Sequence, residues 1–246
     1  MLVVIALLNP ISSASYTAKN LNVTIALNLN TSANVTETLH ISISNESLSQ
    51  YKTNRAALNL TLSDWQALIG PLLVQHVINP NSSVYNFKFF PGPVVNQSGS
   101  YTANITLEYG VRNVTFISET SPRVFQYRFN PKVLNFEHGE SGEILNPNTT
   151  LTIVLPSSGV ISTVYPIPDL PPYAFTTQYK NITQISWVFG EPLSKFTLIF
   201  TVKQSIEAEV IGFFSGIYTD LGLYSYVLIS AAIILTILYI YRRAVS

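Results

Sequence analysis

The 246-residue sequence predicts an all-β protein, with one or two antiparallel sandwiches followed by a C-terminal transmembrane helix. Apolar and polar residues alternate strictly over residues 21–29 and 101–109, which is typical of strands with one buried and one wet face. Many short segments of this kind are separated by Pro, Gly and Asn, as in antiparallel sandwiches. Residues 221–241 differ, because they form an apolar stretch without any charged side chain.

The same pattern predicts most of the remaining elements. Further strands are predicted at residues 35–43, 56–62, 84–90, 113–118, 124–130, 151–155, 160–165, 184–189 and 196–202. In the strand at 35–43, Glu37 falls in the apolar row, which we interpret as a strand end rather than a buried charge. One short helix is predicted near residues 63–75, because Ser63 and Asp64 are good caps and Trp65 begins an apolar pattern of helical spacing.

The extracytoplasmic part divides most naturally near residue 121, into β-sandwich domains at 16–120 and 121–203. In the first, Gly99, Ser100 and Tyr101 lead into a late strand, which resembles immunoglobulin-like domains in which a tyrosine opens that strand. In the second, a Leu-Pro strand end, a proline-rich turn and a strand with Trp187 resemble a β-sandwich module of archaeal and bacterial surface proteins. That resemblance implies an exposed sandwich without catalytic residues.

Both ends of the chain predict a single-pass membrane protein. At about 1.5 Å per residue, segment 221–241 is roughly as long as the hydrocarbon core is thick, about 30 Å. Arg242 and Arg243 mark the cytoplasmic end. Tyrosines at the predicted interfaces are Tyr218, Tyr224, Tyr226, Tyr239 and Tyr241. A buried core helix and the removable tail of a lipid-anchor signal are the alternatives.

Residues 1–15 are interpreted as a signal peptide, with an apolar run at 2–8 and small residues before the predicted cleavage site. No Lys or Arg precedes the run, which departs from the usual pattern, and a buried first strand is the alternative. The predicted protein lies in the cell membrane, with its N-terminus outside. Residues 204–220 would be a juxtamembrane segment and residues 242–246 a cytoplasmic stub.

Composition predicts a glycoprotein. Charged residues make up only 11% of the chain, against about 25% in ordinary soluble domains. Asn-x-Ser/Thr sequons, which are acceptors only where glycosylation occurs and the site is exposed, are abundant. They lie at Asn22, Asn30, Asn34, Asn45, Asn59, Asn81, Asn96, Asn104, Asn113, Asn148 and Asn181. We predict a densely N-glycosylated surface; the alternative is that Asn- and Thr-rich strand faces contain sequons by chance.

The chain has no cysteine, which excludes thiol catalysis and points away from disulfide-rich animal ectodomains. Together with the sequons, this favours a prokaryotic and specifically archaeal surface. The composition as a whole resembles the single-pass, Asn-, Thr- and Tyr-rich surface glycoproteins of thermoacidophilic archaea such as Sulfolobales. No cofactor is predicted. Because 13 basic residues balance 13 acidic ones without a basic patch, nucleic acid is not an expected partner.

The densest polar cluster spans residues 137–143. Glu137, His138, Glu140 and Glu143 would be candidate ligands for a cation, whereas the alternative is a glycine-rich acidic turn between two strands. We therefore predict a non-enzymatic surface protein that is structural or adhesive. It would support a surface layer or act as the exposed accessory subunit of a membrane complex. The alternative function is an extracytoplasmic solute-binding receptor or hydrolase that uses this acidic loop.

Overall fold

In the computed structural model the described residues are 16–57, 59–97, 99–139, 142–170, 182–188, 192–193, 195–205 and six isolated positions beyond them. The predicted signal peptide and the stub at 242–246 lie outside these residues. The predicted juxtamembrane segment is described only at 204–205, 207 and 219, and the predicted span only at 222, 224, 230 and 234. Across the part of the chain that is described, no helix is both long and apolar enough to cross a membrane.

The described chain is mostly β-structure, which confirms the all-β prediction. Two short helices interrupt it, α1 (Leu48–Ala56) and α2 (Leu62–Ile69), together with a 3₁₀ turn at Pro131–Val133. The strands are β1 (Tyr16–Leu27), β2 (Ala33–Ile43), β3 (Tyr85–Pro91), β4 (Val95–Gln97), β5 (Ser100–Val111), β6 (Thr115–Ser121), β7 (Val124–Phe129), β8 (Glu137–Gly139), β9 (Gly142–Ile144), β10 (Thr149–Val154), β11 (Gly159–Tyr165), β12 (Gln184–Val188) and β13 (Thr197–Lys203).

A seven-stranded sheet has the order β12-β10-β1-β2-β5-β3, with β4 also paired to β5. Its pairs are antiparallel except β1 and β10, which run parallel. Strands from both sides of residue 121 therefore belong to one sheet, and the predicted division at 121 does not coincide with separate sheets. Pairing between strands so far apart in sequence leaves no local pattern, because each strand alternates in the same way whichever partner it has.

The second sheet has the order β11-β13-β7-β6, and β8 and β9 form a separate hairpin. The described residues up to 118 and from 126 to 202 form one compact unit. Those of 119–125 and from 203 onward form another.

The core of the first unit lies against one face of the seven-stranded sheet. Odd-numbered residues of β1 from Leu21 to Leu27 are buried and even-numbered ones are not, as their alternation predicted. The same holds along β2, and along β5 from Ala103 to Tyr109. Phe196, which precedes β13, packs edge-to-face against Trp187 of β12 at 4.9 Å and against Phe129 of β7 at 5.3 Å. Tertiary aromatic contacts thus supplement the aliphatic rows of the sheet.

The predicted helix near 63–75 is present but shorter, and Thr61 caps it rather than Ser63. The Thr61 N–H donates to Asp64 Oδ2 at 2.8 Å, and Thr61 Oγ1 accepts from the Asp64 N–H at 3.3 Å. Hydrogen bonds from Thr61 lower the pKa of the Asp64 carboxyl. Gly70, at φ 115°, ends the helix. The strand predicted at 56–62 is wrong, because α1 ends at its first residue and α2 begins at its last.

Candidate functional site

The sequon asparagines that the structure describes share a position at the protein surface. Of the ten, nine are exposed and Asn22 is half-buried. The exposed ones are Asn30, Asn34, Asn45, Asn59, Asn81, Asn96, Asn104, Asn113 and Asn148. Asn181 lies outside the described residues. Of the predicted membrane-interface residues only Tyr224 is described, and its side chain is exposed.

Asparagines outside sequons do not show the same exposure. Of the eight that are described, three are exposed, three are half-buried, and Asn79 and Asn146 are buried with 6% exposure each. Residue type alone therefore does not account for the accessibility of the sequon positions. It follows instead from where the sequons fall along the strands and turns.

Three sequons lie together on the outer face of the seven-stranded sheet, which we define as the face opposite the buried rows of β1, β2 and β5. Asn22, Asn34 and Asn104 occupy it, one on each of these three adjacent strands. Each sequon threonine is two residues along and so shares its asparagine's face. Thr24 pairs with Thr36, and Thr38 pairs with both Asn22 and Thr106. Around these three sequons the outer face therefore consists largely of Asn and Thr side chains.

In the acidic segment, β8 and β9 pair in antiparallel fashion, with Glu137 opposite Ile144 and His138 opposite Glu143. Glu140 lies outside the described residues. Where side chains are described, no group of three His, Asp or Glu residues comes close enough together to ligate a metal ion.

A buried carboxylate that the sequence did not predict lies on the inner face of the sheet. Glu37 has no exposed surface, so its interpretation as a strand end is wrong. Glu37 Oε1 accepts hydrogen bonds from the His76 backbone N–H at 2.7 Å and from the Tyr109 hydroxyl. Glu37 Oε2 lies 2.8 Å from His76 Nδ1. The Val77 N–H in turn donates to Tyr109 Oη at 3.2 Å. We call the side chains of Glu37, His76 and Tyr109 the Glu37 cluster.

Glu37 can be buried because both oxygens of its carboxylate have a hydrogen-bond partner. Three hydrogen bonds replace the water that the ion lost, which is the condition for a stable buried charge. Burial raises the pKa of the Tyr109 hydroxyl far above its ordinary value, and the negative charge of Glu37 raises it further. Tyr109 is therefore a neutral donor at all physiological pH values. The cluster attaches the segment after α2 to strands β2 and β5.

The cluster adjoins a concavity of about 600 Å³, which we call the His76 cleft. The His76 ring stacks on Phe136, with centroids 5.2 Å apart and planes inclined by 29°. Polar lining is supplied by His76, Asn135, Glu137 and Asn146. Asn146 is buried, and its Oδ1 makes no hydrogen bond. Buried polar atoms are nearly always paired, so an unpartnered one needs a physical explanation.

A larger groove, of about 840 Å³, lies elsewhere on the same unit. Its lining includes the sequon residues Asn81 and Asn113 and the half-exposed Phe116. A sugar attached at either asparagine would lie at or within this groove. Two sequon asparagines thus lie at the larger groove, whereas the described lining of the His76 cleft includes none.

The sequence contained a partial signal for the Glu37 cluster. A glutamate in an apolar row is either a strand end or a buried, paired ion, and the strand continues for six residues beyond Glu37. Its partners lie 39 and 72 residues away, so no motif links them. No protein-family model matches the chain, and no curated protein is similar to it. Function is therefore inferred from these residues and their geometry.

Proposed function

We propose that this chain is the exposed, N-glycosylated part of a membrane-anchored cell-surface protein with a structural or adhesive role. The observation that supports this most is the exposure of nine of the ten described sequon asparagines, compared with three of the eight other asparagines. An acceptor must be reachable by the glycosylation machinery. A set of sequons that arose by chance would follow the burial of asparagine in general.

The mechanism of such a protein is geometric. Neutral sugars on the outer face would keep the surface hydrated where charged residues are few, and they would hinder association of sheets through exposed strands. Asn96 supports this second role, because it is exposed on the short strand β4, for which β5 is the one partner among the described strands. A rigid β-module held at the membrane would then present loops to a neighbouring surface-layer protein or to other subunits of a membrane complex.

We further propose that the two larger sheets form an immunoglobulin-like sandwich. The edge-to-face contact between Trp187 and Phe196 supports this, as does the Tyr127 hydroxyl, which donates to the Leu29 carbonyl at 3.1 Å. Trp187 belongs to the seven-stranded sheet and Phe196 precedes β13 of the second sheet. Tyr127 belongs to β7 of the second sheet and Leu29 follows β1 of the first. The anchoring part of the proposal rests on the sequence of residues 221–243, and the archaeal setting on composition.

Protease treatment of intact cells tests the location. The account predicts that a protease added outside releases peptides from residues 16–205, while a cytoplasmic marker protein stays intact. Sedimentation with isolated cell envelopes after mild detergent extraction tests the structural role, and we expect the protein to sediment with them. Peptides that appear only after the cells are lysed would contradict the proposal.

The alternative of a hydrolase acting through the acidic hairpin stays a prediction. Its candidate residue Glu140 and the neighbouring Ser141 lie outside the described residues. A triple variant of His138, Glu140 and Ser141 to alanine should leave envelope association unchanged. Loss of a hydrolytic activity found by screening the wild-type protein would favour the alternative.

A further inference from the structure

We propose that the His76 cleft binds a small organic cation, namely a protonated amine attached to an apolar body. This function goes beyond the structural or adhesive role and does not depend on glycosylation, since none of the described lining residues is a sequon asparagine.

The shape and lining of the cleft suit a ligand with an apolar body. Its volume of about 600 Å³ lies within the range of small-molecule sites, roughly 300–1,000 Å³. Most of its described lining is apolar, and the residues that would contact such a body are Ile69, Pro71, Leu72, Val74, Phe136 and Pro147. A few convergent polar groups in an otherwise apolar concavity are the usual composition of a binding site.

Asn146 supplies the first polar anchor. Its side chain is more than nine-tenths buried and lines the cleft, yet Oδ1 has no donor. An unpaired buried acceptor destabilises the folded state relative to an apolar side chain of the same shape. A ligand N–H that reaches Oδ1 from the cleft would supply the missing donor. The binding function would therefore explain why an asparagine occupies this position.

His76 supplies a second acceptor, and Glu37 determines its orientation. Glu37 Oε2 lies 2.8 Å from His76 Nδ1 and accepts a hydrogen bond when that nitrogen carries the proton of the neutral ring, which leaves the lone pair on Nε2. No hydrogen bond from a described residue to Nε2 is present. Stacking on Phe136 and the hydrogen bond of the His76 N–H to Glu37 hold the ring in place. His76 is thus a positioned acceptor beside the apolar lining.

The charge of the lining selects the sign of the ligand. Glu137 lines the cleft with an exposed carboxylate, and none of the described lining residues is Lys or Arg. Asn146 Oδ1, His76 Nε2 and the Glu137 carboxylate are all acceptors. Such a site attracts an ammonium group and repels a carboxylate or a phosphate. A protonated primary amine brings three N–H donors to these acceptors, whereas a single hydroxyl donates only one hydrogen bond.

Three probes of matched shape test the proposal: cyclohexylamine, cyclohexanol and cyclohexanecarboxylate, titrated calorimetrically at neutral pH into the full chain in detergent. We expect saturable binding of cyclohexylamine and at least tenfold weaker binding of the other two. Equal binding of the alcohol or the carboxylate would overturn the proposal, as would the absence of saturable binding of the amine.

Variants assign the binding to the cleft and remove the contribution of detergent. Asn146→Leu should abolish saturable amine binding and leave the melting temperature unchanged or higher, because it removes an unpaired buried acceptor. Asn20→Leu, at an exposed position outside sequons and outside the cleft, should bind like the wild type. Retained binding in Asn146→Leu would contradict the proposal. A clear fall in its melting temperature would do so too, since it would give Asn146 a structural role.

The charge contribution has its own matched pair. Glu137→Gln should weaken amine binding about tenfold and leave alcohol binding unchanged, whereas Glu119→Gln, an exposed carboxylate outside the cleft, should change neither. Equal amine affinity in both variants would refute selection by charge. Asparagines found without sugar would overturn the proposed surface function but not this site, so the two failures are distinguishable.

Discussion

Strand β2 carries polar side chains on both faces, but only those on the outer face are in contact with solvent. On the outer face Asn34 and Thr36 are exposed and contact water, so their polarity costs nothing. On the inner face Glu37 has no access to water and depends on His76 and Tyr109 for every hydrogen bond. One residue of displacement along a strand thus separates a site suited to glycosylation from a buried ionic cluster.

The role of a polar residue in a β-strand therefore depends on the face of the sheet on which it lies. On the outer face, substitutions change surface chemistry and leave stability nearly constant. On the inner face, removal of one group leaves its partners without hydrogen bonds in a medium of low dielectric. Substitutions on the two faces should therefore differ in their effect on the free energy of unfolding.

The largest effect is expected for Glu37→Ala. It removes the acceptor for two N–H groups and one hydroxyl, so the free energy of unfolding should fall by about 3–5 kcal/mol, measured by urea denaturation. Glu108→Ala on the outer face is the control. Its carboxylate lies 3.8 Å from Lys88 Nζ, and the two side chains are 61% (Lys88) and 46% (Glu108) exposed, so about 0.5 kcal/mol or less is expected. Similar losses in both variants would refute the comparison.

Tyr109→Phe should have an intermediate effect. It removes the hydroxyl that donates to Glu37 and that accepts from the Val77 N–H, so unfolding should become about 1–3 kcal/mol more favourable. Tyr101→Phe, on the same strand, is the control. The hydroxyl of Tyr101 makes no hydrogen bond to a described residue, so a change within about 0.5 kcal/mol is expected.

Stability at alkaline pH should depend on Tyr109. Its pKa is raised in the folded state, so the unfolded chain releases this proton first as the pH passes about 10. The protonated Tyr109 hydroxyl therefore contributes fully to the free energy of unfolding below pH 10, and this contribution declines above pH 10. The free energy of unfolding should then fall by up to about 1.4 kcal/mol per pH unit from this residue alone. Burial also raises the pKa of Tyr51 to about 12, so this residue makes the free energy of unfolding fall more steeply with pH.

Urea denaturation at several pH values between 8 and 11 measures that slope. Above pH 10 the free energy of unfolding of the wild type should fall more steeply than that of Tyr109→Phe. Between pH 8 and 9 the difference between the two proteins should stay constant. Parallel curves for the two proteins would contradict the burial of the Tyr109 hydroxyl.

The smallest effect on stability is expected for Asn34→Gln. The variant abolishes one sequon on the outer face, so protein made without glycosylation should unfold within about 0.5 kcal/mol of the wild type. Protein from the native host should lose the mass of one glycan. A large destabilisation without glycans would show that Asn34 has a structural role on this face.

The sequence predicted the alternating strands well, because each of β1, β2 and β5 carries its burial pattern in its own residues. It did not predict the parallel pairing of β1 with β10, since the register of distant strands leaves no local signal. Helix α1 was missed because only Tyr51 of its nine residues is buried, which gives no apolar stripe.

The same reasoning explains the outcome at the candidate sites. Sequons are local in sequence, so their exposure followed from alternation and turn position. The His76 cleft is lined by residues as distant as Ala18, Ile69 and Asn146, and a sequence pattern does not show which loops meet. Glu37 was the one residue of the cluster that broke its own pattern, and the break marked a buried ion rather than the end of the strand.

Site-specific mass spectrometry of glycopeptides from the protein isolated from its native host tests whether the outer face is glycosylated. We predict sugar on the outer-face residues Asn34 and Asn104. We predict none on Asn20, Asn86 and Asn135, which are equally exposed but lie outside sequons. Bare asparagines at all the exposed sequons would contradict the account.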